Sequence, residues 1–187
     1  MQRAREIPLP DPLLNDGMVS LRPWLEEDLS LMTQALQDPE IPRWTTIPAP
    51  YGERDAREYL ARAQPDRLAG RELGLAVVDA AQGTLLGGCG LSRFDWPDLK
   101  CEIGYWIARE ARGRTVGTRA VRLLAHWALG PLGLERVELL VDPRNEPSTR
   151  LAASAGFVRE GLMRAYRRRG DGRWDLVMYS LLRDDLG

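Results

Sequence analysis

The segment from Arg112 to Gly117, which reads RGRTVG, has the composition of a phosphate-binding turn. It lies between a predicted strand, EIGYWI, and a predicted amphipathic helix. The first backbone N–H groups of a helix have no partner inside it and can hold an anion. Gly117 lets a ligand approach the backbone closely, and Arg112 and Arg114 supply donors suited to phosphate oxygens. A solvated loop is the alternative, but this order of elements favours a ligand that carries a diphosphate.

A second polar group, Asn145-Glu146-Pro147-Ser148, opens the next predicted helix. Asn and Ser are favoured at helix starts and Pro suits a first turn, so capping alone explains the pattern. The alternative is chemical: the Ser148 hydroxyl donates a hydrogen bond, directly or through water, to a group that develops negative charge.

Glu102 is the carboxylate that enters the strand before the turn. Strand alternation places it with Gly104 and Trp106 on one face, and Ile103, Tyr105 and Ile107 on the other. A carboxylate there can take a proton from an ammonium group, directly or through water. The alternative is a solvent-facing edge charge.

Arginines and aromatic residues in predicted turns form two weaker groups. The arginines either lie on a solvent-exposed hairpin without a functional role or attract a carboxylate on the acceptor or the acyl donor. The aromatic residues line a cleft, or cover the core beneath long loops. His126, the single histidine, lies on a helix away from the turn, so we expect a structural or exposed role. The arginines are Arg164, Arg167, Arg168, Arg169 and Arg173, and the aromatic residues are Trp44, Tyr51 and Trp96.

The elements that position these groups follow from hydrophobic periodicity and turn residues. Strands are predicted at 19–22, 74–78, 84–91, 101–107, 136–142, 158–167 and 174–182, and helices at 26–37, 53–63 and after each polar turn. Proline excludes regular structure from residues 38–52. The order predicts a mixed sheet with helices on its faces, built as one domain over residues 18–187 after an irregular arm at 1–17.

Composition excludes several classes of protein. The 187 residues are 44% hydrophobic and 28% charged, with a net charge of −1, so nothing global indicates nucleic acid or membrane binding. No apolar run approaches the roughly 20 residues of a membrane span, and the N-terminus is unlike a signal peptide, so we expect a cytoplasmic protein. Cys89 and Cys101 lack metal-ligand spacing; they face each other across a hairpin or, as we expect, are free thiols. No metal site is predicted.

Together these motifs resemble the GNAT superfamily of N-acyltransferases, over residues 18–182. Arg112 and Gly117 match the ends of the family's signature turn, Arg/Gln-x-x-Gly-x-Gly/Ala, which binds the coenzyme A pyrophosphate; Thr115 stands at its first glycine. The run from EIGYWIARE through NEPS to GFVREG is most similar to the branch of ribosomal-protein N-terminal acetyltransferases.

The resemblance implies a mixed α/β fold, with a mostly antiparallel seven-stranded sheet, helices on both faces and splayed parallel central strands. It implies acetyl-CoA, or another acyl-CoA, as co-substrate and a primary amine as acceptor, on a protein N-terminus or a small molecule. The amine would attack the thioester directly in a ternary complex. A homodimer is left open. The implied acyl-CoA contacts are Trp106, Ile107, Ala108, Arg112, Gly113, Arg114, Thr115, Val116, Gly117, Thr118, Asn145 and Ser148.

The resemblance also bears on catalysis. Many relatives carry a tyrosine acid where this chain has Ala152, whereas Ser148 resembles a serine proposed as the acid in ribosomal-protein acetyltransferases. A glutamate base on the strand after Gly-Phe corresponds here to Arg167, which leaves Glu102, or a water chain, as proton acceptor. Trp44, Tyr51, Trp96 and Arg167 are the expected acceptor contacts.

Two alternatives remain. One is transfer of succinyl or another acyl group to a small molecule; the other is a module that binds acyl-CoA with reduced catalysis, which Ala152, Thr115 and Arg167 favour. An unrelated nucleotide-phosphate binder is disfavoured, because neither G-x-x-x-x-G-K-[ST] nor G-x-G-x-x-G occurs.

Overall fold

An eight-stranded sheet forms the centre of the computed structural model, which describes residues 5–186. Neighbouring strands run antiparallel except for β5 and β6, which are parallel. The spatial order is β1-β2-β3-β4-β5-β6-β8-β7. The strands are β1 (Leu14–Asn15), β2 (Val19–Pro23), β3 (Glu72–Asp79), β4 (Leu85–Asp95), β5 (Lys100–Ile107), β6 (Arg136–Val141), β7 (Val158–Arg169) and β8 (Gly172–Leu182).

Helices cover both faces of the sheet. Apolar residues of α4 recur at helical spacing and pack with α5 into the larger core, while α1 and α3 pack into a smaller core on the opposite face. The helices are α1 (Leu29–Ala35), α2 (Glu40–Trp44), α3 (Glu53–Leu68), α4 (Val116–Leu129) and α5 (Glu146–Ser154), with short 3-10 turns at Glu26–Asp28, Arg109–Ala111 and Arg183–Leu186.

The predicted fold class is confirmed, and two features differ in detail. The sheet has eight strands because Leu14–Asn15, placed by the sequence in an irregular arm, pairs with β2. The arm also packs against the domain: Ile7 is fully buried and exchanges hydrogen bonds with Arg67. Residues 1–4 of the predicted arm lie outside the described residues.

Proline did not exclude helix from residues 38–52, so that prediction is wrong for α2. Pro39 is the N-cap residue of α2 and Pro42 lies in its first turn, where a missing N–H costs nothing because the helix has no partner for it. The α3 helix likewise runs through Pro65 to Leu68, beyond its predicted end. Whether a proline prevents a helix depends on its position in the helix, so the number of prolines in a segment does not predict the structure of that segment.

The parallel strands splay apart, as the family resemblance implies. Lys100–Glu102 of β5 pairs with Arg136–Glu138 of β6, and the two strands share no further register pairs. The remainder of each strand, Ile103–Ile107 and Leu139–Val141, diverges from its neighbour. This gap interrupts the sheet at its centre and leaves one backbone edge of β5 open.

Candidate functional site

A cleft of about 1180 Å³ opens where β5 and β6 diverge, and it reaches both faces of the sheet. We call the part bounded by the first turns of α4 and α5 the α4 side, and the part bounded by α1, α2, α3 and β7 the α3 side. Most of the predicted site residues line this one cleft. They are Trp44, Tyr51, Glu102, Trp106, Ile107, Arg112, Gly113, Thr115, Val116, Gly117, Thr118, Asn145, Ser148 and Arg167.

The first turn of α4 presents unsatisfied backbone donors to the α4 side. Thr115 holds the left-handed conformation, with φ 60° and ψ 2°, and no side chain caps the helix. Within residues 5–186, no hydrogen bond is donated by the backbone N–H groups of residues 113–118. Free N–H groups at the positive end of a helix dipole favour a negatively charged group beside them. Thr115 therefore holds a conformation that glycine adopts more readily, at a cost of about 1–2 kcal/mol.

Gly117 is a packing residue as much as a ligand contact, which differs from the prediction. It is buried, and a Cβ added to it would lie 2.7 Å from Leu151 Cδ1 and 3.3 Å from Ile107 Cγ1. Glycine here lets α4 approach α5 and the end of β5. A larger residue would require Leu151 to move and would crowd Ile107, whether or not a ligand is bound.

The two arginines of the turn have different surroundings. Arg112 donates from Nε to the Ile107 carbonyl at 3.1 Å, and its Nη2 lies 2.8 Å from Asp38 Oδ2. It ties the turn to β5 and to the segment before α2 through two of its three guanidinium nitrogens, and the side chain still lines the cleft. Arg114 is exposed and does not line the cleft.

The open edge of β5 supplies further donors. Ala108 N–H bonds the Leu86 carbonyl at 2.9 Å, on the β4 edge of the strand. Since N–H groups alternate between edges, those of Tyr105 and Ile107 face the gap instead. Ala108 itself is buried, lies outside the cleft and has its donor occupied, so its predicted contact with acyl-CoA is not supported.

Asn145 and Ser148 divide the two roles that the sequence left open. Asn145 caps α5, because its Oδ1 accepts from the Ser148 backbone N–H at 3.2 Å. The Ser148 hydroxyl caps nothing and instead accepts a hydrogen bond from the Tyr105 hydroxyl at 2.8 Å. Ser148 is 9% exposed and lines the α4 side. Sequence reasoning missed Tyr105, although strand alternation had already placed it on the face of Ile103 and Ile107.

Glu102 lies on the α3 side between two guanidinium groups. Its carboxylate is 3.4 Å from Arg167 Nη2 and 3.3 Å from Arg93 Nε, and its side chain is 17% exposed. The alternative of a solvent-facing edge charge is therefore excluded. Arg167 and Glu102 meet directly, 65 residues apart in sequence. Each carboxylate oxygen is paired with one arginine, so one oxygen must be released before it can accept a proton.

The aromatic residues separate into two groups. Trp44 and Tyr51 line the α3 side, beside a stack of Trp24 on Trp106 at 6.2 Å that the sequence did not reveal. Trp96 does not line the cleft, so the structure gives no support to its predicted contact with the acceptor. Its ring stacks on Phe94 with ring centres 4.8 Å apart, and its Nε1 donates to the Gly70 carbonyl. Trp96 therefore covers part of the core, in agreement with the alternative interpretation.

Other chemistry is scarce in the part of the chain that the structure describes. Cys89 and Cys101 are buried and unbonded to each other, and burial raises the pKa of Cys89 to about 12. His126 is exposed on α4. Among residues 5–186 there is no cluster of metal-ligating side chains and no helix long and apolar enough to cross a membrane.

Comparison with known proteins gives a family match. A model of the acetyltransferase (GNAT) domain matches residues 19–158. The N-acetyltransferase p20 of Bacillus licheniformis, itself uncharacterised, is 29% identical over 165 residues, which span 88% of this chain and 93% of that relative.

Two further proteins carry named acceptors. A Bacillus subtilis protein, provisionally named ribosomal N-acetyltransferase YdaF, is 38% identical over 122 residues, 65% of this chain and 64% of the relative. The spermidine N-acetyltransferase of Vibrio cholerae, solved with CoA and spermine, superimposes with a TM-score of 0.78 at 20% identity, covering 92% of this chain and 100% of that one. At this identity the second likeness is one of fold.

Proposed function

This chain belongs to the GNAT acetyltransferase family, and from that premise we propose that it transfers an acetyl group from acetyl-CoA to a primary amine in a ternary complex. The observation that carries the proposal is the single cleft through the splayed sheet. Free backbone donors of α4 line one side of it and a carboxylate, Glu102, lies on the other. Two substrates can therefore meet at the open edge of β5.

The α4 side is suited to the CoA moiety. The N–H groups of residues 113–118 would hold the diphosphate, and the gap between β5 and β6 would take the pantetheine arm. Gly113 and Thr118 line this entrance, and Val116 lies buried beneath it. The side chains of Arg112 and Arg114 contribute less, because one is paired with Asp38 and the other does not line the cleft.

Catalysis would come from positioning and from a few polar groups. The Ile107 N–H, on the open edge of β5, would polarise the thioester carbonyl as oxyanion-hole donors do. Glu102, directly or through a water, would remove the proton that the amine must lose. Ser148 would hydrogen-bond the departing thiolate. Holding amine and thioester together would supply much of the remaining rate enhancement.

The acceptor is a primary amine on a protein N-terminus or a small molecule, bordered by Trp44, Tyr51 and Arg167. The named relatives span both kinds of acceptor, one ribosomal and one a polyamine. A carboxylate on the acceptor or acyl donor could compete with Glu102 for Arg167, and this favours testing succinyl-CoA beside acetyl-CoA.

The test is thiol release from each acyl-CoA with a panel of amines and peptides, confirmed by the mass of the acylated product. We expect release that depends on the amine and exceeds thioester hydrolysis. Binding of acetyl-CoA without amine-dependent release across the panel would instead favour a module that binds acyl-CoA and has lost its chemistry.

A further inference from the structure

Tyr105 places a phenol inside the cleft, and its one hydrogen-bond partner in the described residues is the Ser148 hydroxyl. The ring packs against the larger core on the α4 side of the sheet. The contact joins β5 to the first turn of α5 across 43 residues of sequence. It therefore depends on the fold, since neither residue has the other as a sequence neighbour.

The direction of this hydrogen bond follows from acidity. A phenol is far more acidic than an aliphatic alcohol, so the Tyr105 hydroxyl is the donor and the Ser148 oxygen the acceptor. The proton of Ser148 is then left free to point into the cleft. A hydrogen bond received by a hydroxyl also strengthens the one that it donates. The residue one turn after Ser148 cannot donate a hydrogen bond into the cleft instead, because it is Ala152, whose methyl group is fully buried.

We propose that Tyr105 is a positioning residue for the transfer: it holds the Ser148 hydroxyl with its proton aimed at the departing sulfur. The proposal rests on the proposed function, in which an amine attacks the thioester. The N–C bond forms, the C–S bond breaks, and the electron pair of that bond goes to sulfur. The amine proton goes to Glu102 or water. The thiolate leaves hydrogen-bonded to Ser148, and solvent protonates it after release.

Tyr105 does not act as the acid itself. Burial, the larger effect, raises the pKa of Tyr105 to about 12, against the hydrogen bond with Ser148, which lowers it. A thiol has a pKa near 8.5, so moving a proton from this phenol to a thiolate is unfavourable by about three powers of ten. The phenol therefore remains protonated throughout and contributes orientation and a dipole.

The test titrates the thiol of bound CoA by the ultraviolet absorbance of its thiolate, in wild type, Tyr105→Phe, Ser148→Ala and the double variant. We expect the pKa of the bound thiol to lie below that of free CoA. Tyr105→Phe, which keeps the ring and removes the hydroxyl, should raise the pKa of the bound thiol part of the way back to that of free CoA. Ser148→Ala should raise it further. The double variant should match Ser148→Ala, because Tyr105 acts through Ser148.

Turnover gives a second readout. Tyr105→Phe should lower kcat about five- to tenfold, as expected for loss of one hydrogen bond, with KM for acetyl-CoA unchanged. A lowered melting temperature with kcat per folded molecule unchanged would assign Tyr105 a structural role and overturn the proposal.

The titration separates this proposal from the proposed function. A thiol pKa that Tyr105→Phe leaves unmoved, or effects of the two substitutions that add, overturns the role of Tyr105 whether or not acetyl transfer occurs. A lowered thiol pKa that both variants raise supports it even where no amine is acetylated, and then the proposed function alone fails. Absence of CoA binding by the wild type overturns both.

Discussion

The two sides of the cleft are built by different means. On the α4 side, backbone groups of one continuous region, residues 102–157, supply the donors and the gap. On the α3 side, side chains from β5 meet those from α1, α2, α3 and β7, and ion pairs such as Glu102 with Arg167 hold them in place. A backbone site keeps its function through many substitutions, whereas a side-chain site changes with each one. We expect the first to specify acyl-CoA and the second to specify the amine.

The largest expected effect compares one glycine from each side. Gly117→Val should destabilise the fold by up to about 3 kcal/mol, because its side chain would overlap Leu151 and Ile107, and should also abolish stabilisation by CoA. Gly104→Val is the matched control: an added Cβ has no atom within 4 Å, and the residue lies in the cleft between Glu102 and Trp106. It should leave stability and CoA affinity intact and reduce acceptor turnover. Denaturant unfolding measures the stability of both variants, and calorimetry measures their affinity for CoA. Equal losses of stability in both variants would contradict the predicted difference between the two sides.

Ligand stabilisation is next in size. Acetyl-CoA at a hundredfold over its Kd should stabilise the protein by about 2.7 kcal/mol, since it binds a site absent from the unfolded chain. An acceptor amine alone should stabilise far less, because it carries no diphosphate to accept hydrogen bonds from the backbone N–H groups of residues 113–118. A thermal melt followed with each ligand measures this. A melting temperature unmoved by millimolar acetyl-CoA would count against the assignment of the α4 side.

Glu102→Gln should lower kcat ten- to hundredfold, about 1.4 to 2.7 kcal/mol in barrier, because it keeps the shape and removes the basic oxygen. The loss should shrink as pH rises toward the pKa of the amine, where more acceptor is already neutral. Arg93→Gln is the control, since it removes one ion pair and leaves the carboxylate. If Glu102→Gln keeps the wild-type kcat and pH profile, Glu102 is not the proton acceptor, and catalysis depends on holding the two substrates together.

The smallest effect separates the two polar residues of α5. Asn145→Ala should destabilise the protein by about 1 kcal/mol through loss of the helix cap. Thr149→Ala in the same turn, whose side chain makes no hydrogen bond within the described residues, should change stability by less than half of that. Urea unfolding measures both. Equal changes would mean that the bond from Ser148 N–H to Asn145 contributes nothing.

The same division explains what the sequence could predict. The turn at 112–117, the strand before it and the helix after it are contiguous, so local periodicity located the α4 side and the family fold. Glu102 and Arg167 were each singled out, but their contact depends on the path of β7 and is not encoded locally. The role of Trp96 could not be decided from sequence, because a tryptophan in a loop is as compatible with covering the core as with contacting a ligand. Arg112 resembled a phosphate donor because composition does not reveal that it also pairs with Asp38.

The three-residue seam between β5 and β6 also has a mechanical consequence. The seam divides the sheet into two parts, strands β1–β5 and strands β6–β8. The ladder of backbone hydrogen bonds between these parts is continuous only from Lys100 to Glu102. Regions with fewer backbone hydrogen bonds open at lower free energy. Backbone hydrogen bonds therefore hold the two parts of the sheet together over a shorter length here than between the other central strands. We expect the width of the gap to vary more than the spacing of those strands, so that the opening proposed for the pantetheine arm is also the place where the sheet yields.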